Sequence, residues 1–420
     1  MNQYRDIIGR ISYVLFLVIV ALLPFPQIYL RYAFVLWFIC WVLEGRWLCK
    51  PRSLRENKMA IPMILFGLWY AWRLLSFFWA PDHDAWAWQA ERYLSFGLII
   101  PVGIWGVNAY YNWRTAGKVL VWSCVAAIFV YIAWVSLFYV HNDWIGRFPN
   151  MEYWTNVPKG WFAFFESNIS WVKHRLFLCS VELFGAVMAY QLYRKRPAIL
   201  LPVMLVMLSS IPLTGSRQSI LTVVALMAVA LVYELPQRYR LRYGVGILLL
   251  GIILGFGLLE LNPRMQNFDF AEFTQMRNVN SEHNVRLNIW GLALQQPSDY
   301  LAHGLGSGQS TNYMIEKYKE ANFSYFVDMQ YHAHNQYLEE LMELGVPGLL
   351  FFLLCWLSIP ICASRKGVFT ALLFTALFMM NMLTDCMFGK FCGIALWSAG
   401  LMMIMLQSES DDPGHASLVE

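Results

Sequence analysis

The chain has 420 residues, 58% of them hydrophobic and 17% aromatic, and only 14% charged. A water-soluble fold cannot cover that much apolar side chain, so a soluble globular protein is excluded and the bilayer is the expected solvent. The formal net charge of +4 carries little as a total; the placement of lysine and arginine between the apolar runs carries more.

In chain order, apolar runs long enough to span fall near 11–24, 28–43, 60–79, 93–109, 119–140, 175–192, 198–213, 218–233, 243–260, 343–362, 368–384 and 391–407. They predict about twelve transmembrane helices in an all-α polytopic integral membrane protein. No small-residue cleavage site follows the first run in "LLPFPQIYLRY", so that run reads as a retained anchor. The eight cysteines (40, 49, 124, 179, 355, 362, 386, 392) lack CxxC pairing and lie mostly in apolar runs. They read as small buried hydrophobes, with no metal or disulfide framework.

The short basic connections "GRWLCKPRSLRENK" (45–58), "YRKRP" (193–197), "LPQRYRLRYG" (235–244) and "ASRKG" (363–367) alternate so as to share one side. Short basic loops stay cytoplasmic. Segments 81–92, 141–174 and 261–337 then face outward, with both termini inside. Three regions result: 1–260 with helices one to nine, 261–337 as one large, mainly helical outward loop domain, and 338–420 with helices ten to twelve and a cytoplasmic tail. Loops as long as 261–337 usually fold and carry function.

Within that loop, "HNVRLNIWGLALQQ" (283–296) places Val285, Ile289, Trp290 and Leu292 at helical spacing, with Arg286 and Asn288 on other faces. This predicts a helix lying on the membrane surface. "PSDYLAHGLGSGQS" (297–310) is a turn-rich break. Its "GLGSG" has no preceding strand and so is a weak phosphate-loop signal. A helix is expected over 312–322, and the acidic tail after Gln407 reads as disordered.

Five stretches carry candidate chemistry. Arg217, in "LTGSRQSIL", is placed in the first turn of a helix at the outer mouth, after Ser216. Free N–H groups, the helix dipole and a guanidinium converge there on an anion, although a snorkelling interfacial arginine would look the same. Arg286 is a second anion-binding candidate, with a salt-bridged surface residue as the bland alternative. His334 precedes a helix beginning near Asn335; it is a candidate general base, or else a capping or interfacial histidine. His332 is two residues away, which puts the pair on different helical faces and argues against an i,i+4 zinc pair. Gly345 and Gly348 read as close-packing positions, with a kink at Pro347. Asp385, in "MLTDCMFGK", is a carboxylate at the outer end of the eleventh span that needs a partner such as Lys390 or an arginine. His174 and Arg175 are weaker candidates that mark the interface.

Taken together these stretches resemble the bacterial O-antigen ligase family of the ligase/polymerase superfamily. The family's signature is His, then Asn, Ser or Gln, nine residues, and Gly-x-x-Gly. Here it reads His334-Asn335, nine residues, Gly345-Val346-Pro347-Gly348. "TGSRQSIL" and "VRLNIWGLAL" resemble the segments around the family's two essential arginines. The likeness covers roughly 205–390, and the first five spans match in hydropathy alone. It implies an inverting, metal-independent glycosyltransferase of the GT-C type, acting at the periplasmic face of the bacterial inner membrane. The donor would be a polysaccharide on undecaprenyl diphosphate and the acceptor lipid A-core, in a surround of membrane lipid. No cofactor, metal or nucleic acid is implied. His334 would be the catalytic base and Arg217 and Arg286 the diphosphate ligands. Asn335 would orient the base, and His332, Asp385, Ser216, Gly345 and Gly348 would support the site.

The sequence has no arginine-x10-glycine pattern of the kind described in some polymerases, which leans towards ligase. An O-antigen polymerase or a protein O-oligosaccharyltransferase of the same superfamily is the alternative within enzymes. A membrane transporter is the alternative outside them. It would call for broken spans in corresponding halves and charges at mid-bilayer, and the suggestive charges here sit at the outer edge instead.

Overall fold

Each of the twelve apolar runs folds as a helix. A computed structural model of the chain describes residues 2–51, 54, 57–145, 174–214, 216–260 and 285–410. Among these there is no strand. The helices, in order, are α1 (Asn2–Leu22), α2 (Gln27–Leu43), α3 (Ala60–Leu75), α4 (His83–Arg92), α5 (Leu94–Trp105), α6 (Trp113–Ile145), α7 (Arg175–Tyr193) and α8 (Pro197–Thr214). They continue with α9 (Arg217–Glu234), α10 (Gln237–Glu260), α11 (Val285–Ala293), α12 (Ser310–Glu320), α13 (Ser324–Met329), α14 (Gln336–Cys362), α15 (Val368–Met382) and α16 (Phe391–Glu409).

Among the described residues seven segments are long and apolar enough to cross a membrane: Gln27–Leu48, Ala60–Phe78, Trp113–Trp134, Arg175–Tyr193, Arg217–Glu234, Gln336–Cys362 and Phe391–Glu409. Pro197–Ile211, Arg242–Gly251 and Val368–Met382 are shorter apolar helices. The expected tail lies outside the described residues from 411 onward, as do 146–173 and 261–284 of the two long loops expected to face outward.

Between membrane helices lipid removes most of the hydrophobic drive, so shape and internal polar bonds decide the packing. The core is aromatic. Trp397 of α16 sits 4.7 Å from Phe66 of α3 and 4.3 Å from Phe96 of α5, ring centre to ring centre, and Trp356 of α14 stacks on Phe378 of α15 at 4.9 Å. Polar ties add direction. Asn381 donates to Ser180 and accepts from Thr222, both at 2.9 Å, joining α15 to α7 and α9. Gln218 donates to the Met380 carbonyl at 2.5 Å. The N-terminus of α9, which bears Arg217, is thereby held against the C-terminal end of α15.

A second, smaller core lies beside this bundle: Ile289, Leu292 and Ala293 of α11 pack with Tyr300, Met314, Tyr318, Phe326, Ala333, Leu338 and Met342. This corrects the expectation for 283–296. The apolar face of α11 is buried against residues between Tyr300 and Met342, and Asn288, placed on another face by the sequence reading, is buried too. The helix is a packed element, not one floating on the membrane surface. The expected helix over 312–322 is α12, shifted by two residues.

α14 is two helices joined across a break at Gly345, whose φ of 69° and ψ of −173° are not helical. Backbone groups freed by a break in an apolar setting need partners. The 301–306 segment supplies them: Val346 donates to Leu301 O at 2.8 Å, Leu305 to Met342 O at 2.8 Å and Gly306 to Glu343 O at 2.9 Å. Gly304 packs so tightly on this break that a Cβ there would run into the Glu343 carbonyl. "GLGSG" is therefore a plug for a broken helix. Gly345 and Gly348 do serve close packing, but the device is an interruption; Pro347 starts the inner half, where its missing N–H costs nothing.

Candidate functional site

The turn that precedes α14 brings the sequence-predicted groups together. His334 has a positive φ of 47°, a left-handed conformation unusual for a residue with a side chain. Such an outlier persists only where the surroundings enforce it. On one side Trp290 Nε1 donates to Ala333 O at 2.9 Å, tying α11 to the turn. On the other, Asn335 caps α14, its Oδ1 accepting from Leu338 N at 3.0 Å, and its Nδ2 donates to Leu383 O at 3.1 Å. Both ends of the Asn335 amide are thus engaged with backbone. These bonds hold the backbone next to His334.

His332 and His334 are not on one helix face because they are not on a helix. The left-handed turn folds them back on each other, with ring centres 4.0 Å apart, and both face Asp385. His332 Nε2 lies 3.9 Å and His334 Nδ1 3.8 Å from Asp385 Oδ1. The partner expected for Asp385 was Lys390 or an arginine; the structure puts the histidine pair there, while Lys390 Nζ lies over the Phe177 ring at 5.9 Å.

The backbone N–H of His334 donates to His332 Nδ1 at 3.0 Å. That nitrogen is therefore an acceptor, and the proton of neutral His332 resides on Nε2, the atom facing Asp385. His332, His334 and Asp385 have ligand atoms close enough together to surround a cation. With its tautomer fixed in this way, however, His332 has no free lone pair on Nε2 to give a metal. The cluster is better described as a carboxylate faced by two ring nitrogens, at 3.8 and 3.9 Å. For His334 this leaves Nδ1 towards Asp385 and Nε2 for another partner, the arrangement in which a carboxylate orients a base.

Burial pushes the His332 imidazole down to about 4, with the nearness of the His334 ring and the positive charges of Lys390 and Arg286 adding to the effect. Since 40% of the side chain is still exposed, the direction is what matters: His332 is neutral at pH 7. His174 is likewise pushed down to about 4, first by burial and then by Lys390. Burial alone would raise the Asp385 carboxyl; the surrounding imidazoles, His334 first and then His332 and His174, outweigh it and hold it well below the usual carboxylate range. The site is a single ionised carboxylate among cationic and neutral nitrogen groups.

Arg286 stands one turn before Trp290 on α11, exposed, with its charge felt at His332. Arg217 is the first residue of α9, and Ser216 caps that helix, its Oγ accepting from Ser219 N at 3.4 Å. The helix start expected at Arg217 is where the structure has it. Arg217 lies half-buried at the end of α9 that is tied to Met380 and Asn381, and Asn335 is tied to Leu383 a few residues further along. The start of α9, which bears Arg217, and the His334 turn are therefore both tied to one end of α15, while Arg286 lies on α11, which Trp290 ties to the same turn.

Sequence reasoning missed a buried charge cluster next to the site. Arg73 of α3, 1% exposed, donates through Nη2 to Glu340 at 2.6 Å and through Nη1 to Glu343 at 2.5 Å and Ser307 at 3.1 Å. The signal was present: an arginine inside the 60–79 run, and three glutamates in "YLEELMELG" where the chain enters the membrane.

Fold and site define a helical protein with several helices long and apolar enough to cross a membrane, in which a histidine–aspartate pair lies where such helices end. Residues 202–353 match the family model described as O-antigen ligase, which bears out the resemblance read from the sequence. The matched stretch runs from α8 into the inner half of α14 and contains Arg217, Arg286 and the whole His334-to-Gly348 motif. This part of the chain is therefore similar to the O-antigen ligase family. No curated protein matches the chain.

Proposed function

We propose that the protein is an O-antigen ligase of the GT-C type. It transfers a polysaccharide from undecaprenyl diphosphate to lipid A-core, with inversion, at the periplasmic face of the inner membrane. Both termini are cytoplasmic, and 261–337 forms a periplasmic domain. The observation that carries the proposal is the His334–Asp385 pair, 3.8 Å apart, with Arg286 on the helix tied to the His334 turn and Arg217 on the helix tied to the end of α15.

In this reading the acceptor hydroxyl gives its proton to His334 Nε2 as its oxygen attacks the anomeric carbon. The bond from that carbon to the phosphate oxygen breaks on the opposite face, and its electron pair leaves with the diphosphate. Asp385 stabilises the imidazolium that forms, and His332 holds Asp385 in place. The leaving group carries about two negative charges; Arg217, at a helix N-terminus, and Arg286 stabilise it where other enzymes place a metal. The transfer is therefore proposed to be metal-independent. Lipid-facing grooves beside the domain take the polyprenyl tail.

The test is a gel profile of lipopolysaccharide and carrier-linked glycan from cells lacking the gene. The proposal expects full-length polymer on the carrier and none on lipid A-core. Single repeat units still reaching the core would overturn it in favour of a polymerase, with the same donor chemistry and another acceptor.

A further inference from the structure

The nine residues between Asn335 and Gly345 form a separate helical block of about two and a half turns, bounded by a cap at one end and the Gly345 break at the other. A short block in which Gln336, Glu339, Glu340 and Glu343 are all buried is not held by apolar contact alone. Its inner end is pinned by the three backbone bonds to 301–306. Its outer end is pinned by Asn335 to Leu383 and by the Tyr337 hydroxyl to Met379 O at 2.9 Å.

Its flank is pinned by one guanidinium. Arg73 reaches Glu340 with one amino group and Glu343 with the other, and lies over the Trp69 and Tyr93 rings at 4.7 and 4.8 Å. The carboxylates take further donors: Glu340 accepts from Trp69 at 3.1 Å and Gln336 at 3.0 Å, and Glu343 from Ser310 at 2.8 Å. Gln336 then accepts, through Oε1, from Phe388 N at 3.0 Å. The chain Arg73–Glu340–Gln336–Phe388 thus runs from α3 to the segment carrying Asp385, while the same block carries His334 at its mouth.

We infer that Arg73 is a positioning residue: by clamping the Gln336–Leu344 block and, through Gln336, the Asp385–Phe388 segment, it sets the distance between His334 and Asp385. Removing it leaves two buried carboxylates without their counter-charge. A lysine keeps the charge, but one ammonium does not reproduce the two-armed fork. Only the kinetic arm of the test rests on the proposed role of His334.

The experiment uses the full chain in lipid nanodiscs. It compares wild type, Arg73→Lys and Arg73→Met by hydrogen exchange, and by kcat and KM with an undecaprenyl-diphosphate-linked glycan. Arg73→Met is expected to raise exchange roughly tenfold or more in peptides covering 331–345 and 383–389, with α7 and α9 unchanged. Its kcat falls about a hundredfold while KM for the donor changes little, since a misplaced base loses turnover before binding. Arg73→Lys recovers part of both.

The inference is overturned if Arg73→Met keeps its kcat and exchange, or if exchange rises evenly through all helices, which would mark general destabilisation. Should Arg73→Met fail to insert, Glu343→Gln, which keeps the Arg73–Glu340 pair, is expected to give the same local pattern in weaker form; a uniform rise would again overturn it. Turnover retained in His334→Ala would remove the base assignment and leave the exchange result standing on its own.

Discussion

Gly345→Ala tests whether the break in α14 is as constrained as its geometry implies. A φ of 69° with ψ of −173° is a conformation essentially confined to glycine, and a side chain there costs about 1–3 kcal/mol. The new Cβ would also sit 2.9 Å from three backbone atoms, the nitrogens of Gly304 and His303 and the carbonyl oxygen of Leu301. None of these is the free end of a flexible side chain, so the 301–306 segment has to move. Its three backbone bonds to the break contribute about 1 kcal/mol each. Strain plus the loss of two bonds gives about 3–5 kcal/mol. Hydrogen exchange at Leu305, Gly306 and Val346 in the full chain reads this directly. Their opening should become roughly a hundredfold or more easier. The control is Gly246→Ala in α10, where an added Cβ meets nothing within 4 Å. If exchange at the three amides in Gly345→Ala stays within about threefold of that control, the reasoning from conformation and close approach is wrong.

Three further outcomes follow from the site. Asp385→Asn preserves shape and removes the charge facing both histidines, so kcat should fall about a hundredfold or more with the protein still folded in the membrane; near-normal turnover would detach Asp385 from the base. Arg217→Gln and Arg286→Gln should each lower kcat by about two orders of magnitude, and normal activity in both single variants would refute the diphosphate role. The third concerns pH. His332 is held near 4 against an ordinary 6.5, so the folded turn prefers the neutral ring. Its contribution to stability is complete above pH 6.5 and is lost as pH falls towards 4, because the unfolded turn binds the proton first. Corrected for intrinsic rate, protection of the His334 amide, bonded to His332 Nδ1, should decline across that window; a flat profile would refute the tautomer assignment.

How much of this was legible beforehand depended on range. The helix starts at Arg217 and Asn335 were readable because a cap is local: Ser216 and Asn335 each bond a backbone N–H within three residues. The apolar runs were readable for the same reason. Convergence was not. A spacing of two between His332 and His334 excludes a shared helix face, yet says nothing about a left-handed turn, and the partner of Asp385 lies some fifty residues away in sequence. Arg73 and Glu340 are 267 positions apart and meet only because α3 and α14 pack together. The amphipathic pattern of α11 was read correctly as a pattern and assigned to the wrong surface, since an apolar face looks the same whether it meets lipid or a small protein core.

The buried glutamates acquire a reason once the break is considered. A continuous helix could have carried His334 on apolar packing alone. Breaking it at Gly345 detaches the outer nine residues from the rigid span, and a block of that length has too little apolar contact to hold one orientation. Charge-assisted hydrogen bonds are directional where apolar contact is not. Arg73 with Glu340 and Glu343 therefore supplies what the break removed. The break itself lets Leu301 to Gly306 pack into the interrupted helix and bond to it. The small core containing α11, with Arg286 on it, is thereby registered against the turn containing His334. On this argument the Gly-x-x-Gly and the histidine belong to one motif because the glycine joint lets two separately folded parts of the chain meet at the site.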